Sequence, residues 1–425
     1  MLALYRLLWI LLTPVTLAWS LQQTLKRSGG LRYLLERFGV APADPSKPAD
    51  SSKPADSSKI AIWFHAASLG ELRLANSLIE SHLEHGVLLT CNTPDAYRLA
   101  SQVWGDRIAL RYCPLDYIWS IRGLLKAYRP TVAVIIETEI WPELYHQCQT
   151  HRVPVFIVNG RIGAKTLGAG FPIRQWYRGA LAHNTTVWAR SEMDREHFVT
   201  LGCPPENAVS VGSIKMSGKP PSAPPAHPIG GLSYHLAVST HQDEELLLAK
   251  ASREALQGQL LVVIPRHPQR GTSIARSLKQ HGFSIALRSE QQAADSDTDV
   301  YIADTAGEVS DFCAHASWVF VGGSLVDIGG HNVFEPAIWG KAIFIGPHVQ
   351  NFSEEVAYLK SRDAIVQVRN PAELSTQWRD IRENAILREK LEGAVRAAYQ
   401  NLPDHEAEYI SLLSAALNRH DKSAH

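Results

Sequence analysis

Seven short polar segments of the 425-residue chain carry side chains able to do chemistry, and each follows directly on an apolar run. HAASLGE after IAIWF places Glu71; ETEIWPE after VAVII places Glu137 and Glu139; NGR follows VFIV. PRHPQR after LVVI places Pro265, Arg266 and His267; DTAGE after VYIA places Ala306, Gly307 and Glu308. GGSLVDIGGHNVFEP after WVFV places Asn332, Val333, Phe334 and Glu335; GPHVQNF follows AIFI.

Each segment has more than one chemical reading. Ser68-Leu69-Gly70-Glu71 fits a capping box, in which the glutamate satisfies a backbone N–H at the start of a helix. A carboxylate at a loop edge can equally take the proton from an attacking hydroxyl. Glu137 and Glu139 flank Thr138 just after a strand and are expected on opposite sides of the loop, with one facing a ligand or both solvated. Glycines at 322, 323, 329 and 330 would let backbone approach a phosphate, a following helix start would offer free N–H groups, and Glu335 could accept from ribose hydroxyls. Asn332 and Glu335 also fit a capped turn. The segment is not a Walker loop, because G-x-x-x-x-G-K-[ST] is absent. Arg266 and His267 could neutralise a phosphate or decorate a surface loop. Thr305 and Glu308 have capping-box spacing. Asp295, Asp297 and Asp299 resemble a metal-binding acidic run but precede their strand, at the wrong sheet edge, and His82 and His85 lack zinc-ligand spacing.

Elements must hold these loops together. Apolar runs at 60–64, 87–91, 108–112, 131–136, 154–158 and 186–189, then at 235–239, 260–264, 283–287, 299–303, 318–321, 342–345 and 364–368, alternate with helix-length amphipathic segments. That alternation predicts parallel α/β layers. In open parallel sheets ligands bind outside the carboxyl ends of the strands. Loops of this kind in both series predict two doubly wound domains sharing a cleft. They cover 60–216 and 232–425, with C-terminal helices in the latter, and are joined by a Pro/Gly-rich linker over 217–231.

Upstream, residues 42–59 are three copies of a six-residue Pro/Ala/Ser repeat, which cannot bury a core; 41–59 therefore reads as a spacer. The uncharged run from Leu7 to Leu21 is followed by a basic cluster, so residues 1–40 read as a membrane anchor with a juxtamembrane segment and everything downstream in the cytoplasm. Trp9 and Trp19 would mark the two interfaces. A helix lying in the interface is the other geometry. A cleaved signal peptide would need a small-x-small site, and the run continues Leu17-Ala18-Trp19-Ser20.

The 42 basic and 42 acidic residues cancel, which excludes a long-range field for nucleic acid. Residues 1–40 hold five basic residues against one acidic, a net of +4, so the remaining 385 sum to −4. Five scattered cysteines with no C-x-x-C argue for a reducing compartment.

The ordered set HAASLGE, ETEIWPE, NGR, VGSIK, STHQDEE, PRHPQR, DTAGE, GGSLVDIGGHNVFE and GPHVQNF resembles the 3-deoxy-D-manno-octulosonic acid (Kdo) transferase family, from the N-terminus to about residue 352. The resemblance implies a GT-B fold of two Rossmann-like domains, with the donor nucleotide on the second and the acceptor on the first. It implies inverting transfer of Kdo from CMP-Kdo to the lipid A precursor lipid IVA at the cytoplasmic face of the inner membrane, without a metal. Glu71 matches the family's general base, and Glu137 and Lys215 match positions that stabilise the transition state. The CMP contacts match Pro265 and Arg266, then Ala306, Gly307 and Glu308, then Asn332, Val333, Phe334 and Glu335. The stretch 159–166, NGRIGAKT, departs from the family's Asn-Ala-Arg-Leu-Ser pattern in the acceptor half, and DTAGE departs more mildly from DTMGE. Two other readings stand beside this one: a GT-B enzyme with a different lipid-linked acceptor, and a two-lobed periplasmic solute-binding protein.

Overall fold

The apolar runs become parallel strands because both sheet faces are covered by helices, so nearly every strand position is buried. The computed structural model describes residues 1–27, 30–40, 60–214, 223–256 and 258–423. The repeat spacer at 41–59, Lys215 and the start of the linker lie outside the described residues. The chain forms two compact units, Met1–Ser217 with Asp404–His425, and Gly218–Pro403.

In the first unit β1 (Ile62–His65), β2 (Val87–Cys91), β3 (Ala109–Tyr112), β4 (Val132–Ile136), β5 (Val155–Gly160), β6 (Thr185–Ala189) and β7 (Ala208–Ser210) form one sheet of order β3-β2-β1-β4-β5-β6-β7. Ile62 pairs in parallel with both Val87 and Val132, so the winding direction reverses between β1 and β4. In the second unit β8 (Tyr234–Thr240), β9 (Leu260–Pro265), β10 (Ile285–Leu287), β11 (Val300–Ile302), β12 (Val319–Val321), β13 (Ile343–Ile345) and β14 (Val366–Gln367) run β10-β11-β9-β8-β12-β13-β14. There the reversal falls between β8 and β12, which pair Leu236 with Val319. Ligands of such sheets bind at the carboxyl ends beside these reversals.

Two sequence expectations need correction. The last helix, His405–Ser423, belongs to the first unit, not the second. Its Tyr409, Leu413, Ala416 and Leu417 complete the core around β1 and β2, and the Tyr409 hydroxyl donates to the Gly212 carbonyl at 2.9 Å.

The N-terminal segment is also not one straight helix. Leu2–Leu11 and Thr13–Thr24 are bent by 58°, and among the described residues no single helix is long and apolar enough to cross a membrane. Pro14 lacks the N–H that would continue the ladder, which is a sufficient cause for the break. One face of the first helix is docked on the domain. Arg6 donates to both oxygens of fully buried Glu143, at 2.7 and 2.9 Å, and the Tyr5 hydroxyl donates to Asp116 at 2.7 Å. Trp9 packs edge-on against Tyr117 and Trp141 and is half-buried. Trp19 is 46% exposed. Arg6→Ala would leave Glu143 buried with Gln147 as its remaining side-chain donor, at a cost of about 2 kcal/mol for a half-exposed pair. The expected result is faster proteolysis within residues 1–27, and unchanged cleavage would mean that the aromatic contacts alone hold the helix.

Candidate active site

The carboxyl end of β1 delivers His65 and, three residues on, the cap of the helix Leu69–Glu80. Ser68 caps that helix by accepting from the Glu71 N–H at 3.3 Å, and Glu71 accepts from the Ala67 N–H at 2.6 Å and the Ser68 hydroxyl at 3.1 Å. The capping box therefore forms, with the glutamate reaching one residue further back than usual. Burial lifts the Glu71 carboxyl to about 7; the Ala67 N–H opposes this, Glu139 adds to it, His65 opposes it and Glu137 adds to it. The carboxyl is a cap, and its raised value lies in the range that general-base chemistry at neutral pH requires.

The two glutamates after β4 are not on opposite sides as expected; residues two apart in a strand share a face, so alternation does not separate them. Glu137 adopts a left-handed φ of 59°, which ends the strand geometry, and both Glu137 and Glu139 act on Glu71. Glu139 accepts from the Trp141 indole at 2.6 Å and stands 3.9 Å from Nε2 of His65, an imidazole with no exposed surface. Burial works against ionisation of Glu139, but His65, Trp141 and Arg37 outweigh it and hold the carboxyl below its ordinary value. Thr138 donates its hydroxyl to the Arg161 carbonyl, tying this loop to the NGR segment. Within that segment Asn159 accepts from Ile214 N–H at 3.1 Å, and the Ile162 N–H donates to Asp194 at 2.8 Å.

In the second unit the carboxyl ends of β8, β9 and β12 converge. Pro265 closes β9 and is buried, while Arg266 and His267 are exposed beyond it; the Arg266 N–H donates to the Thr240 carbonyl at 3.0 Å. Glu244, fully buried, accepts from the backbone N–H groups of His241, Gly323, Ser324 and Leu325 at 3.2, 2.7, 3.1 and 3.0 Å. Glu245 accepts from the Thr240 hydroxyl at 3.0 Å and forms a two-point pair with Arg270 at 2.8 and 3.2 Å. The glycine loop is thus held by Glu244 and by the GPHVQNF segment, where Asn351 N–H donates to Gly329 O at 3.0 Å.

Several sequence expectations change here. The helix after the glycine loop, Phe334–Ala337, has four residues, too few peptide dipoles to supply a strong positive end. Asn332 accepts from the Phe334 N–H at 3.0 Å, a two-residue turn and not a capping box; Val333 and Phe334 are buried and Glu335 is exposed. The helix after DTAGE begins at Val309, so Thr305 and Glu308 form no capping box. Glu308 instead accepts the Thr305 hydroxyl and pairs with Arg288 Nε at 2.8 Å, while Ala306 and Gly307 stay exposed. The acidic run is a turn: Asp295 accepts from Asp297 N–H at 3.0 Å, and Asp299 accepts from Ser284 N–H at 2.8 Å. Among the described residues no three His, Cys, Asp or Glu side chains gather as metal ligands.

Residues 32–217 match the family model described as 3-deoxy-D-manno-octulosonic-acid transferase. A 3-deoxy-D-manno-octulosonic acid transferase of Bordetella pertussis is 31% identical over 324 residues, 72% of this chain and 74% of that one. The chain belongs to the Kdo transferase family. One from Haemophilus influenzae is 29% identical over 334 residues, 73% of this chain and 76% of that one. Kdo transferases are glycosyltransferases, and the solved structures agree in fold. A glycosyltransferase of Rickettsia africae superposes with a TM-score of 0.61 at 11% identity, covering 86% of this chain and 99% of that one. Anabaena HepE, solved with UDP and glucose, gives 0.59 at 10% identity over 84% and 100%. The two doubly wound sheets are therefore those of a GT-B enzyme.

For a Kdo transferase of this sequence, the supporting residues that motif reading passed over are His65, Glu244, Glu245, His241 and His331. Each lies inside a quoted motif, and the signal available was its position at a strand end beside a winding reversal.

Proposed function

We propose that this Kdo transferase moves Kdo from CMP-Kdo to a hydroxyl of lipid IVA with inversion, using Glu71 as general base. The acceptor oxygen forms a bond to the anomeric carbon as its proton passes to Glu71, and the bond from that carbon to the CMP phosphate breaks with its electron pair on the phosphate. The observation that carries this reading is the Glu71 carboxyl, raised to about 7 at the β1 and β4 switch point. Glu137 and Lys215 are assigned to stabilising the transition state. Pro265, Arg266, Ala306, Gly307, Glu308 and the segment Asn332 to Glu335 are assigned to the CMP moiety. In this scheme cationic side chains, not a metal, meet the charge on the leaving phosphate.

The base must be ionised to act, so kcat/KM is expected to rise with pH along a limb centred at about 7. The same raised value means the fold gives up stability as pH climbs from about 4.5 to about 7, because burial disfavours the carboxylate. A rate limb centred near the ordinary carboxylate value would remove Glu71 from this role. Product analysis on lipid IVA and other lipid-linked glycans tests the acceptor, which the NGRIGAKT departure leaves most open to change.

For the membrane, we assign the broken helix pair to the interfacial plane at the cytoplasmic face of the inner membrane. Leu7, Ile10, Leu11 and Val15 are 53%, 55%, 66% and 63% exposed, and a lipid surface would cover them. The positive charges of Lys26 and Arg27 that follow in sequence favour an anionic leaflet, whereas Arg37 is buried against Asn92 and the Cys113 carbonyl.

A further inference from the structure

At the β8 and β12 reversal two imidazoles meet at hydrogen-bonding distance. Nε2 of His241 lies 2.8 Å from Nε2 of His331, and the rings are parallel within 2° with centroids 5.0 Å apart. That separation is the one expected of rings meeting edge to edge in a common plane, not face to face. Gly323, at φ +67°, makes room for both: a Cβ there would stand 3.0 Å from Cδ2 of His331 and 3.3 Å from Cδ2 of His241.

The hydrogen count constrains the chemistry. A neutral imidazole has one N–H. In the neutral pair one ring donates through Nε2, leaving its Nδ1 a bare acceptor, while the other accepts at Nε2 and carries its N–H at Nδ1. One added proton converts the bare Nδ1 to a donor, so both outer nitrogens then donate. A second added proton would destroy the shared hydrogen bond. The pair thus has two usable states, neutral with one outward donor and one acceptor, and singly positive with two outward donors.

Without a ligand the neutral state is favoured. Burial, then His241, Arg266 and His267, push the His331 imidazole down to about 4. Burial, His267, Arg270 and Arg266 lower His241, with Glu245 alone opposing. Glu244 is engaged with the His241 N–H and the glycine loop. A phosphate has only acceptors, and beside these rings its charge would offset the cations that hold the pair neutral. We infer that His241 and His331 act as one proton-accepting unit that charges when the donor's phosphate binds, placing two N–H donors and a positive charge at the future leaving group. The inference rests on the donor assignment proposed above.

The test is titration calorimetry of the full chain with the methyl ester of cytidine 5′-monophosphate, whose single phosphate charge stays constant across neutral pH. Comparing buffers of different ionisation enthalpy near pH 6.5 should show uptake of about one proton. The affinity should fall with rising pH by at most about tenfold per unit. His241→Gln and His331→Gln should each abolish the uptake, and His267→Gln should keep it. Binding without uptake, or uptake surviving in both pair variants, overturns the inference and leaves the donor site standing. No binding of the ester by the wild-type chain overturns the donor assignment and the inference with it.

Discussion

Glu71→Gln is expected to lower Kdo transfer about a thousandfold while leaving the melting temperature within a degree or two of wild type. Glutamine fits the same capping position, since the box is satisfied by either side chain. Its amide oxygen can still accept from Ala67, where Glu71 now sits at 2.6 Å, but it cannot take a proton at neutral pH. The substitution therefore separates two roles that one residue holds. Ser68→Ala is the converse: it removes the cap hydroxyl, which accepts from the Glu71 N–H at 3.3 Å, at about 1 kcal/mol of stability, and leaves the carboxyl in place. Its turnover should stay within a few-fold of wild type. Full activity in Glu71→Gln would reduce Glu71 to a cap, and loss of folding there would show that the carboxylate charge itself is structural. The pH limb near 7 should vanish in the glutamine variant together with the rate.

How far this site was legible follows from where its contacts lie in sequence. Glu71 could be read as cap or base because Ser68 is three residues away. The strands were legible as runs of Ile and Val, except Ala208–Ser210, which is three residues long and half exposed, and so carries no periodic signal. Strand order was less legible: β10 lies outside β11 because its chain passes to the sheet edge and returns, and no local pattern records that. The amphipathic helix His405–Ser423 announces an apolar face but not its partner, and Tyr409 bonds to Gly212, 197 positions earlier. The same limit hides His65 and the His241 and His331 pair, whose partners come from other strands. Motif resemblance supplied the family because it compares whole ordered sets. Composition and spacing alone stopped at two α/β domains with polar loops at their strand ends.

Glu244→Ala is the second substitution with a large expected effect, and here the loss should fall on donor binding and stability together. The carboxylate accepts from four backbone N–H groups, three of them in the consecutive residues Gly323, Ser324 and Leu325. Burial raises its pKa against the pull of those N–H groups, so the donors offset only part of the solvation cost of a carboxylate there, and losing the acceptor leaves them unsatisfied. Alanine leaves the donors facing a void. At about 1 kcal/mol each the sum is about 4 kcal/mol, or a fall of about 10 °C in the melting temperature of a unit this size. Glutamine is no remedy, because its NH2 group would point at N–H groups that need an acceptor. The glycine loop runs from Gly323 to His331, and freeing its first residues also frees the imidazole that pairs with His241. CMP affinity should therefore drop about a hundredfold or more even where the variant stays folded below its lowered melting temperature, since a loop that must be ordered on binding forfeits its preorganisation. Glu245→Gln is the matched control. It weakens the Arg270 pair but leaves the loop's N–H groups satisfied, so it should lose less than tenfold in CMP affinity. Equal losses in the two variants would mean that the acid pair acts through general charge balance, and a Glu244→Ala protein with wild-type CMP affinity would show that the loop orders itself without its buried acceptor.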